Sequence, residues 1–235
     1  MTLLTAEPRG GQPTPLSLND TDQRSTGSGA RKDRSVPRNT ALTALFGAAS
    51  FRQRFQPNGT ILLDGTAADA VYLIASGTVR CCTISEDGQR QIFRFARKGE
   101  FVGIADMETW HFTAEAVDIV TLKSIPRAVL ERALATDITL RQELRAHICA
   151  QLEAREQQLL SLVTSKAPER LLHFLTDFAT TRTSIGYITL PMCRRDIADH
   201  LGMSVETVSR AFTVLKTRQL IELACAEKFR INAAA

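Results

Sequence analysis

Apolar positions follow two different rhythms along this chain, and the change falls at Pro126. From residue 60 to 125 they come in short runs: Val71-Tyr72-Leu73-Ile74, Val79-Arg80-Cys81-Cys82-Thr83-Ile84, Gln91-Ile92-Phe93-Arg94-Phe95 and Phe101-Val102-Gly103-Ile104, closed by the segment Ala114 to Ile125. Ser76-Gly77, Glu86-Asp87-Gly88 and Gly99 punctuate these runs at roughly ten-residue intervals, the spacing of an antiparallel sandwich or barrel. Beyond Pro126 the interval lengthens to that of a helix. Leu140, Leu144, Ile148, Leu152, Leu159 and Leu162 make one stripe through a stretch free of Gly and Pro, with Arg141, Glu143, Arg155 and Glu156 elsewhere. The stripe predicts a long helix carrying a coiled-coil dimer seam; packing on the chain's own barrel is the alternative, and a helix this long can do both. Pro168 suits the first turn of a following helix, so a domain boundary is expected near Ser165.

The segment Pro191 to Leu215 carries the candidate chemistry. Ile197, Ala198 and Leu201 form the inner face of a short helix, and Gly202 stands where the chain must turn left-handed. Ser204 suits the N-cap of a second helix, whose buried face is Val208, Ala211, Phe212 and Leu215. Two short helices about a glycine turn, the second amphipathic, make a helix-turn-helix. Glu206, Ser209 and Arg210 share the exposed side of its second helix, near the end that meets base edges. Arg can give a bidentate pair to guanine and Glu can accept from a cytosine amino group. On an isolated helix the same spacing would be an ordinary surface ion pair. Arg194, Arg195, Thr207, Lys216 and Arg218 flank this face and are expected at phosphates, which supply affinity without sequence information. Residues 220–224 and 228–231 read as two strands around a turn, a wing beside the helices.

Composition narrows the class. With 44% hydrophobic and 23% charged residues the chain has an ordinary globular balance, and no apolar run is long enough to span a membrane. The N-terminus lacks the apolar core of a signal peptide, so a cytoplasmic protein is expected. Residues 1–38, rich in Gly, Pro, Ser, Thr and Arg, read as a flexible arm, and the basic cluster Arg31-Lys32-Asp33-Arg34 as solvated. The net charge of +4 permits a polyanionic partner. Five cysteines, odd in number and without a C-x-x-C pair, argue against a disulfide framework or a local zinc site. Adjacent Cys81 and Cys82 are expected on opposite faces of a strand. No P-loop, HExxH or nucleophile elbow occurs, so an enzyme is not expected.

Taken in order, Tyr72-Leu73-Ile74-Ala75-Ser76-Gly77-Thr78-Val79-Arg80, Gly88-Gln89-Arg90-Gln91-Ile92, Gly99-Glu100-Phe101-Val102-Gly103, the leucine stripe and Val205-Glu206-Thr207-Val208-Ser209-Arg210 resemble the Crp–Fnr superfamily of transcription regulators over roughly residues 45 to 232. After the arm at 1–38, the resemblance implies an α+β fold in three parts: a β-roll (cyclic-nucleotide-binding-like, jelly-roll) domain at 39–135, a dimerisation helix at 136–165 and a winged helix-turn-helix domain at 166–235. Glu206, Ser209 and Arg210 match the reading set of the Fnr branch. They imply a homodimer on two-fold TTGA-type half-sites, acting as an activator with RNA polymerase; an effector-dependent repressor or dual regulator of the same fold is the alternative.

Two cofactors of the superfamily are not expected. Gly103-Ile104 and Phe112-Thr113 stand where relatives place Gly-Glu for a ribose and Arg-Ser or Arg-Thr for a cyclic phosphate. No cysteine precedes Cys81, so the N-terminal iron–sulfur ligands of Fnr are missing. His111, beside Trp110 and Phe112, reads as a packed or surface residue, with haem ligation as its sharper alternative. The chain therefore resembles the FixK-like branch, which implies control of low-oxygen, respiratory or nitrogen-metabolism genes. Cys193 is a redox candidate: it lies at a helix start beside Arg194 and Arg195, where positive charge raises a thiol's reactivity, and an oxidised sulfur would repel phosphate. Cys81, Cys82 and Cys149 are expected to be packing residues.

Overall fold

Strands with both faces apolar need cover on both sides, and the architecture follows from how that cover is supplied. The computed structural model describes residues 40–47, 50–105, 108–180 and 186–232; the 1–38 arm and its basic cluster lie outside the described residues. Eight strands build two four-stranded antiparallel sheets: β1 (Phe51–Phe55), β2 (Thr60–Leu62), β3 (Ala70–Ser76), β4 (Thr78–Ile84), β5 (Arg90–Arg97), β6 (Phe101–Val102), β7 (Thr113–Ala116) and β8 (Val120–Pro126). One sheet has the order β1-β8-β3-β6 and the other β2-β7-β4-β5. The expected closing segment thus divides into β7 and β8. Strand β1, whose residues are mostly exposed and show no clear alternation, has no strong apolar signature in the sequence.

Between the sheets lie Ile74, Val79, Cys81, Ala96, Trp110, Phe112, Ala114 and Leu122. Gly103 belongs to this packing: its φ is +75°, and a Cβ there would sit 2.3 Å from the Trp110 ring, so no side chain fits. The outer face of the first sheet, through Val71, Leu73 and Ile125, packs on α1 (Thr40–Leu45), α2 (Arg127–Thr136) and the start of α3 (Ile138–Thr164). Asp137 caps α3 by accepting from the Thr139 and Leu140 amides. Glu143 of α3 accepts from the Ala41 and Leu42 amides at the start of α1.

The leucine stripe divides between two tasks. Leu140 is 1% exposed and Leu144 packs with it on the β-roll, whereas Leu152 and Leu159 stand 59% and 63% exposed. Ile148, Leu160 and Val163 are exposed beside them, a row of apolar side chains that this single chain leaves uncovered.

The outer face of the second sheet is covered by the C-terminal domain. Cys82, Ile92 and Phe95 join one cluster with Leu171, Phe174, Leu175, Ile197, Leu201 and Phe212. Alternation along β4 sends Val79 and Cys81 into the sandwich, and Arg80 and Cys82 outward to this domain. Both cysteines are buried, on opposite faces as the strand pattern predicts. The β4–β5 register shifts between Cys81 and Cys82. After Ser165 and Lys166 comes α4 (Ala167–Thr180), with Pro168 in its first turn. Then follow β9 (Ile188–Thr189), α5 (Arg194–Leu201), α6 (Val205–Thr217), β10 (Ile221–Cys225) and β11 (Lys228–Ile231), the last two pairing as the wing with β9 on its edge.

Candidate nucleic-acid interface

Gly202 ends α5 with φ +61° and ψ 47°, the left-handed turn that sequence spacing requires there. Two residues on, the Ser204 hydroxyl accepts from the Thr207 amide and starts α6. Val208, Ala211, Phe212 and Leu215 are all buried, which holds the opposite face of α6 outward. On that face Glu206, Ser209 and Arg210 are exposed together. The Glu206 carboxyl lies below the usual carboxylate range, held by its own backbone amide and the Ser204 hydroxyl, with Arg210 adding positive charge. The Ser209 hydroxyl donates to the Val205 carbonyl at 2.9 Å. The three residues named from sequence therefore share one solvent-facing patch.

Of the flanking residues, Arg195, Lys216 and Arg218 are exposed and Thr207 is half-buried beside Ser204. Arg194 is differently employed. Its guanidinium stacks 3.3 Å from the Phe212 ring centroid and donates to the Ala226 carbonyl at 2.7 Å, tying the wing turn to α6. Burial lowers the affinity of this guanidinium for its proton. Arg170 of α4 donates to the Leu201 carbonyl at 3.0 Å, satisfying an end of α5. Cys193 is exposed at the N-cap of α5, with no hydrogen bond from its side chain to that helix.

His200, on the far side of α5, wedges its ring between Phe95 and Phe174 with Nδ1 3.0 Å from the Ile92 carbonyl. Burial pushes its pKa down to about 4. The folded chain therefore favours the neutral ring. Stability should be full above about pH 6.5, the ordinary histidine value, and should fall as pH drops from there toward 4. The thermal midpoint of the parent should decline between pH 7.5 and 5.5, and the decline should be smaller in His200→Phe; equal slopes would refute this assignment.

The exposed trio on α6 follows from local sequence, whereas the contacts behind it do not. Asp196 in the first turn of α5 is 4% exposed and faces Arg80 and Arg90 of the β-roll. No local pattern signals such pairs, because the partners are more than a hundred residues apart.

A small cavity of about 80 Å³ lies where α3 crosses the β-roll, lined by Cys81, Arg94, Phe101, Gly103, Phe112 and Arg155 among others. Arg94 pairs with Glu100 at 2.7 Å, and Arg155 stacks 4.2 Å from the Phe93 centroid. Among the described residues no group of His, Cys, Asp and Glu is arranged to hold a metal ion, and no helix is long and apolar enough to cross a membrane.

Known proteins share this arrangement. Residues 52–137 match the cyclic nucleotide-binding domain family and residues 169–234 the Crp-like helix-turn-helix domain family. The nitrogen fixation regulation protein FixK of Azorhizobium caulinodans is 38% identical over 72% of this chain and 70% of its own length. FixK of Rhizobium meliloti is 34% identical over 72% of this chain and 77% of its own length. The solved structure of FixK2 from Bradyrhizobium japonicum superposes with a TM-score of 0.75 at 30% identity, covering 78% of this chain and 92% of that one. With a β-roll, a long helix and a winged helix-turn-helix in this order, the chain belongs to the Crp–Fnr family as a FixK-like, DNA-binding transcription regulator and not an enzyme.

Proposed function

We propose that this protein is a cytoplasmic homodimer that binds TTGA-type two-fold sites and activates transcription by recruiting RNA polymerase at low-oxygen, respiratory or nitrogen-metabolism promoters. One observation carries the reading: Glu206, Ser209 and Arg210 stand exposed together on an α6 whose other face is buried in a Crp-like domain. Glu206, Ser209 and Arg210 are the base-reading set. Arg195, Thr207, Lys216 and Arg218 meet backbone phosphates; Arg194 joins them as the residue that steadies the wing. The exposed Ile148, Leu152 and Leu159 row, continued by the half-buried Leu162, supports a dimer seam along α3, while Leu140 and Leu144 anchor the helix to its own β-roll. Its relatives, two nitrogen fixation regulation proteins and a transcriptional activatory protein of Rhodopseudomonas palustris, support the biological assignment.

Two features of the β-roll support action without a cyclic nucleotide. A cavity of about 80 Å³ falls well below the roughly 300 Å³ of small-ligand sites, and its two guanidinium groups already have partners. The regulator is accordingly proposed to act without a cyclic nucleotide or an iron–sulfur cluster.

Fluorescence anisotropy of the reduced protein tests the proposal. Tight, salt-sensitive binding to a TTGA-type palindrome over a scrambled duplex is expected, and equal affinity for the two would overturn it. Cys193 supplies modulation within the same scheme. Two equivalents of hydrogen peroxide convert its thiol to a sulfinic acid with release of two waters, setting negative charge against phosphate. Peroxide should weaken binding by the parent and spare Cys193→Ser; equal inhibition of both excludes this switch.

A further inference from the structure

We propose that the ion-pair cluster joining Arg80 and Arg90 to Asp196 and Asp199 is a latch that sets the half-site separation at which a dimer engages DNA. The inference rests on the dimeric, DNA-reading function above and adds residues to it. The C-terminal domain leaves α3 through Ser165 and Lys166 alone, a short connector that allows many orientations. What fixes one orientation is contact with the outer face of β4 and β5, including Arg97 at the Asp177 and Phe178 carbonyls of α4, together with Gln158 of α3 at 3.4 Å from His200 Nδ1.

Part of that contact is apolar, through Ile92, Phe95, Phe174 and the His200 ring. Apolar surfaces are non-directional and tolerate sliding. The ionic part does not. Arg80 Nη1 lies 3.4 Å from Asp196 Oδ2, while its Nε and Nη2 are held by Glu115 at 2.8 Å and Asn58 at 3.0 Å. Arg90 Nη2 lies 2.6 Å from Asp196 Oδ1, and its Nε donates to Asp199 Oδ2 at 2.9 Å. Asp196 and Asp199 are one helical turn apart on α5, so Arg90 bridges both.

Arg80 is only 8% exposed and Asp196 4%, so sliding α5 by a turn would strand buried charge. Buried ion pairs add little net stability against apolar substitutes, but they penalise wrong registers. An open cleft of about 500 Å³ runs beside the cluster between Gly88, Arg90, Arg195 and Ser204, so apolar packing does not seal this edge. The position of α6 relative to the dimer axis on α3 therefore depends on these charges. Two recognition helices must meet half-sites about 34–36 Å apart, and one base pair more or less misplaces one of them.

The test uses Arg80→Gln and Arg90→Gln, both in the β-roll and outside the DNA-reading surface, with Asp196→Asn as the partner change. Each full-length dimer is titrated against TTGA-type duplexes whose half-site separation varies by single base pairs, and against a single half-site. The parent should prefer one separation by about tenfold or more, while the variants should spread their affinity to within about threefold and keep the single half-site affinity. Variants that retain the parent's preference, or that lose single half-site affinity in step, overturn the latch. Arg90, the more exposed of the two, keeps the test open should Arg80→Gln fold poorly. Tryptic cleavage after Lys166 gives a readout without DNA: it should be faster in the variants, and an unchanged rate also overturns the proposal. A parent indifferent to TTGA-type DNA would sink the half-site reading, leaving the cleavage rates to decide the latch.

Discussion

Replacing Arg210 with alanine should abolish discrimination between a TTGA-type palindrome and a scrambled duplex while leaving the fold untouched. The side chain is exposed, and the buried face of α6 does not include it, so no packing is lost. A bidentate Arg–guanine pair is worth about 1–3 kcal/mol of discrimination, and a two-fold site presents it twice. The expected loss is about 2–6 kcal/mol, on the order of thirtyfold to ten-thousandfold in affinity for the palindrome alone. Lys216→Ala is the companion measurement. A phosphate contact should weaken both duplexes alike and flatten the salt dependence by about one charge per site. Anisotropy across a salt series separates the two outcomes. Arg210→Ala binding that weakens equally on palindrome and scrambled DNA would remove Arg210 from the reading set.

Two positions further along the same helix the opposite result is expected. Phe212 is 3% exposed and packs among Phe174, Leu175, Ile197, Leu201 and Phe229. Its ring is also the seat of the Arg194 guanidinium that ties the wing to α6. Truncation to alanine should cost about 3–5 kcal/mol of stability, from lost transfer energy and the cavity left behind. The released Arg194 would no longer fix the wing, so unfolding of the C-terminal domain should precede that of the β-roll in urea. A destabilisation under about 1 kcal/mol would mean that the cluster collapses around the gap and that Phe212 is not its keystone.

The contrast between Arg210 and Phe212 was legible in the sequence. Both assignments depend on period and turn chemistry within about 25 residues: Gly202 for a left-handed turn, Ser204 for a cap, Val208, Ala211, Phe212 and Leu215 for one helical face. The strands from β3 to β6 were legible for the same reason, and β7 and β8 only as one closing segment. β1 was not, because an exposed edge strand shows little alternation of apolar and polar residues. A place in a basic cluster predicts a phosphate contact for Arg194. Only the packed domain brings Phe212 and Ala226 against it, from later helix and wing segments.

By itself, then, the order of residues determined the strand run from residue 70 onward, the long helix, the helix-turn-helix with its buried face and the exposed trio on α6, since each follows from interactions between near neighbours. The tertiary structure alone decided which part of the leucine stripe stays uncovered: Leu140 is buried with Leu42 of α1 and Leu73 of β3, whereas Leu152 is exposed while its neighbours Gln151 and Arg155 turn to Arg94 and Phe93 of β5. It also decided that Arg80, an outward residue on a strand, meets Asp196, a helix residue 116 positions later. Charge partners at that separation carry no periodic signal; they meet only once the outer face of β4 and β5 is docked on the C-terminal domain.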